Sequence, residues 1–219
     1  MPSTVRLRVA TIDDAALLAE LGARLFAQTF GAANTPEDME AYLAGAFSPE
    51  TQAAELAEPD RMTWIAEDAA GVPIGYVVLI RNAGVDSVVA ERPAELRRIY
   101  VDLSATPQGV IPRSNATKDP SVAEEETSSP RREGVLRLRS ATPQDDAVDT
   151  GSPKPGALLM NRCIQQAREW GCDVIWLAVW EENPRAIRFY EKNGFQKVGV
   201  KDFRLGSDVQ HDFVMARNL

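Results

Sequence analysis

The chain predicts an α/β domain, a sheet flanked by helices, and three observations carry that reading. Val174 to Trp180 is an unbroken run of β-branched, aromatic and aliphatic residues, the pattern of a central strand buried on both faces. Asn183-Pro184 follows almost at once, giving an N-cap and a first-turn proline, so a helix starts one short turn after the strand. Along the whole chain the two periodicities interleave as strand, helices, three strands, helix, strand, helix, strand.

Taken in order, Val5 to Val9 alternates apolar and basic residues at the period of a half-buried strand. Thr11 with Asp14 three residues on reads as a capping box in which Asp replaces the usual Glu or Gln. From Ala15 to Phe30 the side chains of Leu17, Leu18, Leu21, Leu25 and Phe26 recur at helical spacing. A second helix begins after Asn34-Thr35-Pro36, passes through Met39, Tyr42 and Leu43, and stops near Phe47-Ser48-Pro49. Thr51 to Ala57 is a weaker third. Met62 to Glu67 and Ile74 to Arg81 form a hairpin around the Asp68–Pro73 turn, which carries Gly71. Glu95 to Val101 is the next strand, and Gly156-Ala157-Leu158-Leu159-Met160 opens the next helix. The helix after Asn183 has Ala186, Ile187, Phe189 and Tyr190 as its apolar positions and Asn193-Gly194 as its stop.

With 219 residues, 44% of them apolar, the chain can build one sizeable core, and residues 1–219 read as a single domain. No apolar run approaches the ~20 residues of a membrane span, and the amino terminus lacks the signature of a secretory signal, so no membrane contact and a cytoplasmic location are expected. Cys163 and Cys172 have no Cys or His companion at ligand spacing; both read as reduced, and no metal is implied. His211, the one histidine, falls in a polar tail. The net charge of −8 argues against nucleic acid, whose phosphates an acidic surface repels, and favours cationic ligands.

The wording Asn183-Pro-Arg-Ala186-Ile-Arg-Phe189-Tyr190-Glu-Lys-Asn-Gly194-Phe195 fits the pattern Asn-x-x-Ala-x-x-Phe-Tyr-x-x-x-Gly-Phe, and so resembles the acetyl-CoA-binding half of the GNAT N-acetyltransferase superfamily. Phe26-Ala-Gln-Thr-Phe30, Asp38-Met39, Ala41-Tyr-Leu43, Ala46-Phe47, Ile175 to Asn183 and Leu205 to Asp212 are similar to PaiA-type polyamine acetyltransferases. The resemblance covers about residues 4 to 104 and 156 to 219. It implies a mixed, mostly antiparallel sheet with helices on both faces, acetyl-CoA as co-substrate, and a small-molecule amine such as spermidine or spermine as acceptor. A homodimer is compatible with it.

The same resemblance implies the roles of individual residues. Asn183 would hydrogen-bond the pantetheine arm, Tyr190 would stand beside the thioester sulfur and protonate it, and Glu95 would take the ammonium proton through water. Backbone N–H groups of Ile99, Tyr100 and Val101 would polarise the thioester carbonyl. Gly156 and Ala157 at the start of their helix would hold the pyrophosphate, and Arg185 or Arg188 would reach the 3′-phosphate or merely solvate a helix face.

Residues 105–155 depart from the pattern. This irregular insert is rich in Pro, Ser, Thr, Glu and Arg and stands where the family has a short glycine-rich phosphate turn. Within it, Leu136 to Ala147 echoes Val5 to Ala15, like the start of a second copy of the domain. Aligned back from Gly156, the middle glycine of the turn is Lys154 and its basic or amide position is Gly151. Pro153 and Pro155 have no N–H to donate. Lys154 offers charge in their place. Two functions therefore stand open: a working N-acetyltransferase on polyamine-like amines, and a GNAT-fold protein of weak or absent catalysis that acts by interaction. Cofactor binding separates them.

Overall fold

The computed structural model describes residues 4–102, 104, 154–205 and 208–219. Gly151, Pro153 and the Leu136–Ala147 echo lie outside the described residues.

The first strand, β1 (Arg6–Val9), leads through a single 3₁₀ turn to α1 (Ala15–Phe30). At that turn the Asp14 carboxylate accepts from the Thr11 N–H at 2.8 Å, closing the predicted capping box. The next helices, α2 (Pro36–Ala46) and α3 (Pro49–Ala57), each start with a first-turn proline behind an N-cap whose hydroxyl accepts a backbone N–H, Thr35 from Asp38 and Ser48 from Thr51. Strands β2 (Arg61–Glu67), β3 (Pro73–Arg81) and β4 (Pro93–Val101) follow as an antiparallel meander. The chain continues with α4 (Pro155–Glu169), β5 (Val174–Trp180), α5 (Pro184–Lys192), β6 (Gln196–Leu205) and β7 (Asp208–Asn218).

The seven strands form one sheet in the order β1-β2-β3-β4-β5-β7-β6, antiparallel except at β4–β5. This is the mixed, mostly antiparallel sheet expected, with one correction. The polar tail after Leu205 is not a tail but β7, which inserts between β5 and β6 and pairs with β5 from Val174↔Asn218 to Trp180↔Asp212. Its first half, Asp208 to Asp212, lacks the apolar alternation of a strand because the face it presents carries Gln210 and Asp212, both buried polar residues.

Helices cover both faces of the sheet. On one, α4 and α5 bury Leu159, Cys163, Ala186 and Tyr190 against Leu96, Ile99, Ile175 and Leu177. On the other, α1 and α2 bury an aromatic set, Phe26, Phe30, Tyr42 and Phe47, against Tyr76, Tyr100 and Phe203. A β-bulge decides which residues of β4 face which side: Leu79 pairs with Leu96 and Val78 with Arg98, so Arg97 is the extra residue. Without it, alternation would turn Ile99 and Val101 to the aromatic face; with it they join Leu96 on the α4 face. Arg98, fully buried on the aromatic side, donates to both oxygens of Glu55 on α3 at 2.6 and 3.0 Å, and Arg61 of β2 reaches the same carboxylate at 2.9 Å. Breaking such a buried pair costs about 3–5 kcal/mol, so this network pins α3 to β4.

Gly22 lets α1 approach the sheet. A Cβ there would lie 2.5 and 2.6 Å from two carbons of the buried Phe47 ring and 2.9 Å from the Tyr76 hydroxyl. In an exposed helix Gly→Ala gains about 1 kcal/mol, whereas overpacking a core costs about 1–3 kcal/mol. Gly22→Ala is therefore expected to lower the melting temperature by roughly 2–4 °C for a net loss of about 1 kcal/mol. A higher melting temperature would show that the Phe47 ring yields and that the helix is not held at this distance by glycine.

Candidate active site

Strands β4 and β5 run parallel but share only three rungs, Pro93↔Val174, Ala94↔Ile175 and Glu95↔Trp176. Beyond Glu95 the ladder stops. From there β4 stays with β3 through Val101 and β5 stays with β7 through Trp180, so the sheet opens as a wedge between them.

The register identifies which groups face the wedge. Asp102 N–H donates to the Ile74 carbonyl at 2.7 Å, which makes Ile74/Asp102 a hydrogen-bonded pair. Such pairs alternate in an antiparallel ladder, so Tyr76/Tyr100 is hydrogen-bonded and Gly75/Val101 and Val77/Ile99 are not. The N–H and C=O of Ile99 and Val101 thus point away from β3 into the wedge. Tyr100 behaves differently from the sequence expectation: its backbone is committed to β3, where its carbonyl would lie 2.5 Å from a Cβ on Gly75. Ile99 is fully buried and Val101 nearly so. Among the described residues these groups have no ladder partner, and buried backbone groups left so are costly, so the wedge suits something that hydrogen-bonds like a strand.

Asn183 and Tyr190 stand at the α5 side of this opening. The Asn183 side chain caps α5, its Oδ1 accepting from Ala186 N–H at 3.1 Å. That uses one end of the amide. Its Nδ2, also buried, has no hydrogen-bond partner among the described residues. An N-cap alone needs only an oxygen, which Ser, Thr or Asp would supply, so the spare donor points to a ligand. Tyr190 is fully buried between Phe189, Phe195 and the α4 face, and its hydroxyl likewise has no partner among the described residues. Burial pushes the Tyr190 phenol well up, with the neighbouring Cys163 thiol adding to the shift, so it is a neutral proton donor throughout the physiological range.

Glu95 lies on the opposite face of the sheet at the last β4–β5 rung, 4% exposed, and its carboxylate accepts from Arg97 at 2.9 Å. The bulge at Arg97 makes that contact. Past the end of β5 lies a cavity of about 270 Å³, lined by Thr29 and Phe30 of α1, Trp180 of β5, Glu182, and the start of α5 from Asn183 to Arg185. Phe30 and Trp180 meet in its wall as a tilted pair, ring centroids 6.2 Å apart. The end of the first helix and the start of the fifth therefore meet here; Thr29, Phe30 and Glu182 lie in stretches that the sequence analysis likened to polyamine acetyltransferases, but it gave none of the three a role in the site.

The phosphate end is less furnished. Pro155 occupies the first turn of α4 and has no N–H, and the Ala157 N–H donates to the Lys154 carbonyl at 3.0 Å. Lys154, the N-cap residue, is exposed, and Gly156 is buried. What remains for an anion there is the positive end of the α4 dipole and the Lys154 charge.

Comparison with known proteins identifies the fold. The model of the Acetyltransferase (GNAT) family matches residues 156–195, that is α4 to the end of α5. Uncharacterized N-acetyltransferases of Mycobacterium bovis and Mycobacterium tuberculosis are 44% identical over 63 residues, 29% of this chain and 40% of theirs, so the chain spans about two-fifths of the length of these relatives. An uncharacterized N-acetyltransferase of Lactobacillus delbrueckii subsp. lactis is 25% identical over 89% of the chain and 86% of its own length. Among solved structures, a PaiA N-acetyltransferase from Thermoplasma acidophilum in complex with coenzyme A superposes with a TM-score of 0.62 at 19% identity, covering 99% of both chains. Arabidopsis thaliana NAA60 in complex with acetyl-CoA gives 0.61 at 11% identity, again covering 99% of both. The chain has the GNAT fold.

Asn183 separates capping from ligand binding by experiment. Asn183→Asp keeps the capping oxygen and loses the spare donor, so thermal stability should hold while affinity for coenzyme A falls about tenfold, the value of about one hydrogen bond. Asn183→Ala should lose both, with about 1 kcal/mol of stability gone as well. Calorimetric titration alongside thermal melting reads the two effects; unchanged affinity in Asn183→Asp would reduce Asn183 to a helix cap.

Proposed function

We propose that this chain is an acyl-CoA-dependent N-acetyltransferase that moves an acetyl group from acetyl-CoA directly to a primary amine of a small, polyamine-like substrate. The observation that carries the reading is the wedge: among the described residues, two buried strand amides have no ladder partner, and the spare polar atoms of the buried Asn183 and Tyr190 side chains have no hydrogen-bond partner. A pantetheine arm, which has amide groups of its own, is the ligand such a wedge fits.

Acetyl-CoA supplies an acyl group already activated as a thioester; the rest is done by the chain. Ile99 and Val101 N–H groups hold the arm and stabilise negative charge as it develops on the acyl oxygen. Asn183 Nδ2 donates to the arm. Tyr190 gives its hydroxyl proton to the departing sulfur, a role that its burial suits by keeping the phenol protonated. Glu95, oriented by Arg97, accepts the proton of the incoming ammonium, through water. Lys154, Gly156 and Ala157 would hold the pyrophosphate at the start of α4, and Arg185 the 3′-phosphate. No covalent intermediate on the protein is needed.

For the acceptor, three features favour a polyamine-like cation. The chain carries a net charge of −8. The cavity is lined by Phe30 and Trp180 together with the exposed Glu182, an apolar wall and a carboxylate that suit a methylene chain carrying a cation. The α1–α2 wording resembles polyamine acetyltransferases. Cys163 and Cys172 are both free and buried, which suits a reducing compartment, and no described helix is long and apolar enough to cross a membrane; we assign the protein to the cytoplasm on the former ground. A second reading, a GNAT-fold protein that binds acetyl-CoA too weakly for turnover, is favoured by Pro155 and by the Ala157 N–H being used within the helix.

Tyr190→Phe should lower turnover about 10²–10⁴-fold with the acetyl-CoA dissociation constant nearly unchanged. Activity within twofold of the unmodified chain would remove Tyr190 from the general-acid role. In an acceptor panel, spermidine and spermine should outpace peptide and amino-acid amines, with KM rising as salt is added. Peptides outpacing every polyamine would overturn the acceptor assignment and leave the transferase reading standing.

A further inference from the structure

Strand β7 does more than complete the sheet. β5 ends at Trp180, opposite Asp212, and β7 overruns it, so that Asp208 to His211 are laddered to β6 and not to β5. Side chains alternate along a strand, so Gln210 on this overrun shares a face with Asp212 and with Trp180. It is buried, and its Nε2 donates to Asn34 Oδ1 at 3.1 Å. Asn34 follows α1 by one 3₁₀ turn, and its own Nδ2 donates to the Phe30 carbonyl at 2.8 Å. The last carbonyls of a helix have no partner within it, so Asn34 completes the end of α1 with one end of its amide and grips β7 with the other.

The next residue holds the other wall. His211 C=O accepts from Glu181 N–H at 3.1 Å, and Asn183 N–H donates to the Trp180 carbonyl at 3.0 Å, so the turn that leads through Glu182 into α5 is tied to β7 as well. Gln210 and His211 thus reach both sides of the cavity past β5: through Asn34 to Phe30 on one, through the Glu181 amide to Glu182 and Asn183 on the other. Beside this lies an aromatic contact. Phe203, the ladder partner of Gln210, meets Tyr42 of α2 edge-on, with ring centroids 6.1 Å apart. Apolar contact is not directional, whereas an amide pair is; the rings keep the α1–α2 elbow on the β6–β7 hairpin, and the amides set where the end of α1 comes to rest.

From this geometry we infer that Asn34 and Gln210 are positioning residues for the acceptor: their amide pair holds the Phe30 end of α1 against Trp180 and so sets the width of the cavity, which admits an unbranched amine chain in preference to a bulkier one. The inference rests on the reading of this cavity as the acceptor site of the transferase. Cutting the pair leaves the end of α1 held to the hairpin by the ring contact, and Phe30 can then move off Trp180. Neither Asn34 nor Gln210 is assigned a part in holding acetyl-CoA or in moving a proton. Their loss is therefore read in the acceptor KM and in the choice of acceptor, with kcat and cofactor affinity preserved.

The test compares the full chain with Gln210→Met, which keeps the length of the side chain and loses its amide. At saturating acetyl-CoA, kcat and KM are measured for spermidine and for tyramine, an aromatic amine. In Gln210→Met the spermidine KM should rise about fivefold, the value of about one hydrogen bond, with kcat and the acetyl-CoA dissociation constant nearly unchanged and the preference for spermidine over tyramine reduced. Asn34 stands at a partly exposed turn, so Asn34→Ala gives a second reading if Gln210→Met melts early. The double variant should be no worse than Asn34→Ala, because Gln210 acts through Asn34; effects that multiply would overturn the inference. An unchanged spermidine KM, or a loss of kcat and cofactor affinity that tracks the melting temperature, would also overturn it, and the transferase reading would stand as long as the unmodified chain turns over. An unmodified chain that prefers tyramine would overturn the inference together with the polyamine assignment. One that binds no acetyl-CoA and acetylates neither amine would overturn the transferase reading and this inference with it.

Discussion

The end of the β4–β5 ladder after Glu95 and Trp176 is the constraint on which the rest of the structure depends. Parallel strands are hard to part inside a domain, because each backbone N–H and C=O that loses its rung must find another partner or bear the cost of burial. Here β5 keeps its other edge fully paired to β7 and β4 keeps its other edge paired to β3, so the parting exposes one edge of each strand and no more. Insertion of β7 between β5 and β6 is what makes this affordable. It gives β5 a full-length antiparallel partner where direct pairing with β6 would have been parallel.

Chemistry is divided between the two faces of the sheet by that opening. Tyr190 and the core of α4 and α5 lie on one side, and Glu95 with Arg97 on the other. On the proposed roles, the acid that must stay protonated is set in an apolar surrounding, and the carboxylate that must take a proton is set beside a guanidinium. Such separation of environments is how one small site runs acid and base steps at one pH. The bulge at Arg97 serves both faces at once, since it turns Ile99 and Val101 toward α4 and brings Arg97 against Glu95.

How much of this the sequence disclosed differs element by element. Helices α1, α2 and α5 were legible because their periodicity and caps are local: Thr35-Pro36 and Asn183-Pro184 say where a helix begins whatever packs on it. Asn183 and Tyr190 were legible because the α5 pattern has fixed gaps. The assignment of Ile99 and Val101, and not Tyr100, to the wedge was not, because it follows from the parity of hydrogen bonding to β3, which only the tertiary register sets. Strand β7 was hidden by Gln210 and Asp212, polar residues that are buried and therefore break the alternation that marks a strand. The Lys154 and Gly156 positions were legible only as departures from a phosphate turn, and α4 confirms the start of that helix without supplying the missing donors.

The central claim is that the wedge amides of β4 are a binding edge for the acyl donor, and residue-resolved hydrogen exchange tests it most directly. Tyr100 N–H, committed to β3, should be protected with or without ligand. Ile99 and Val101 N–H should exchange by local opening in the free protein and become protected on addition of acetyl-CoA, by at least about tenfold for one hydrogen bond gained. Protection of Ile99 and Val101 that is already complete in the free protein, or that does not change when acetyl-CoA is bound, would contradict the account.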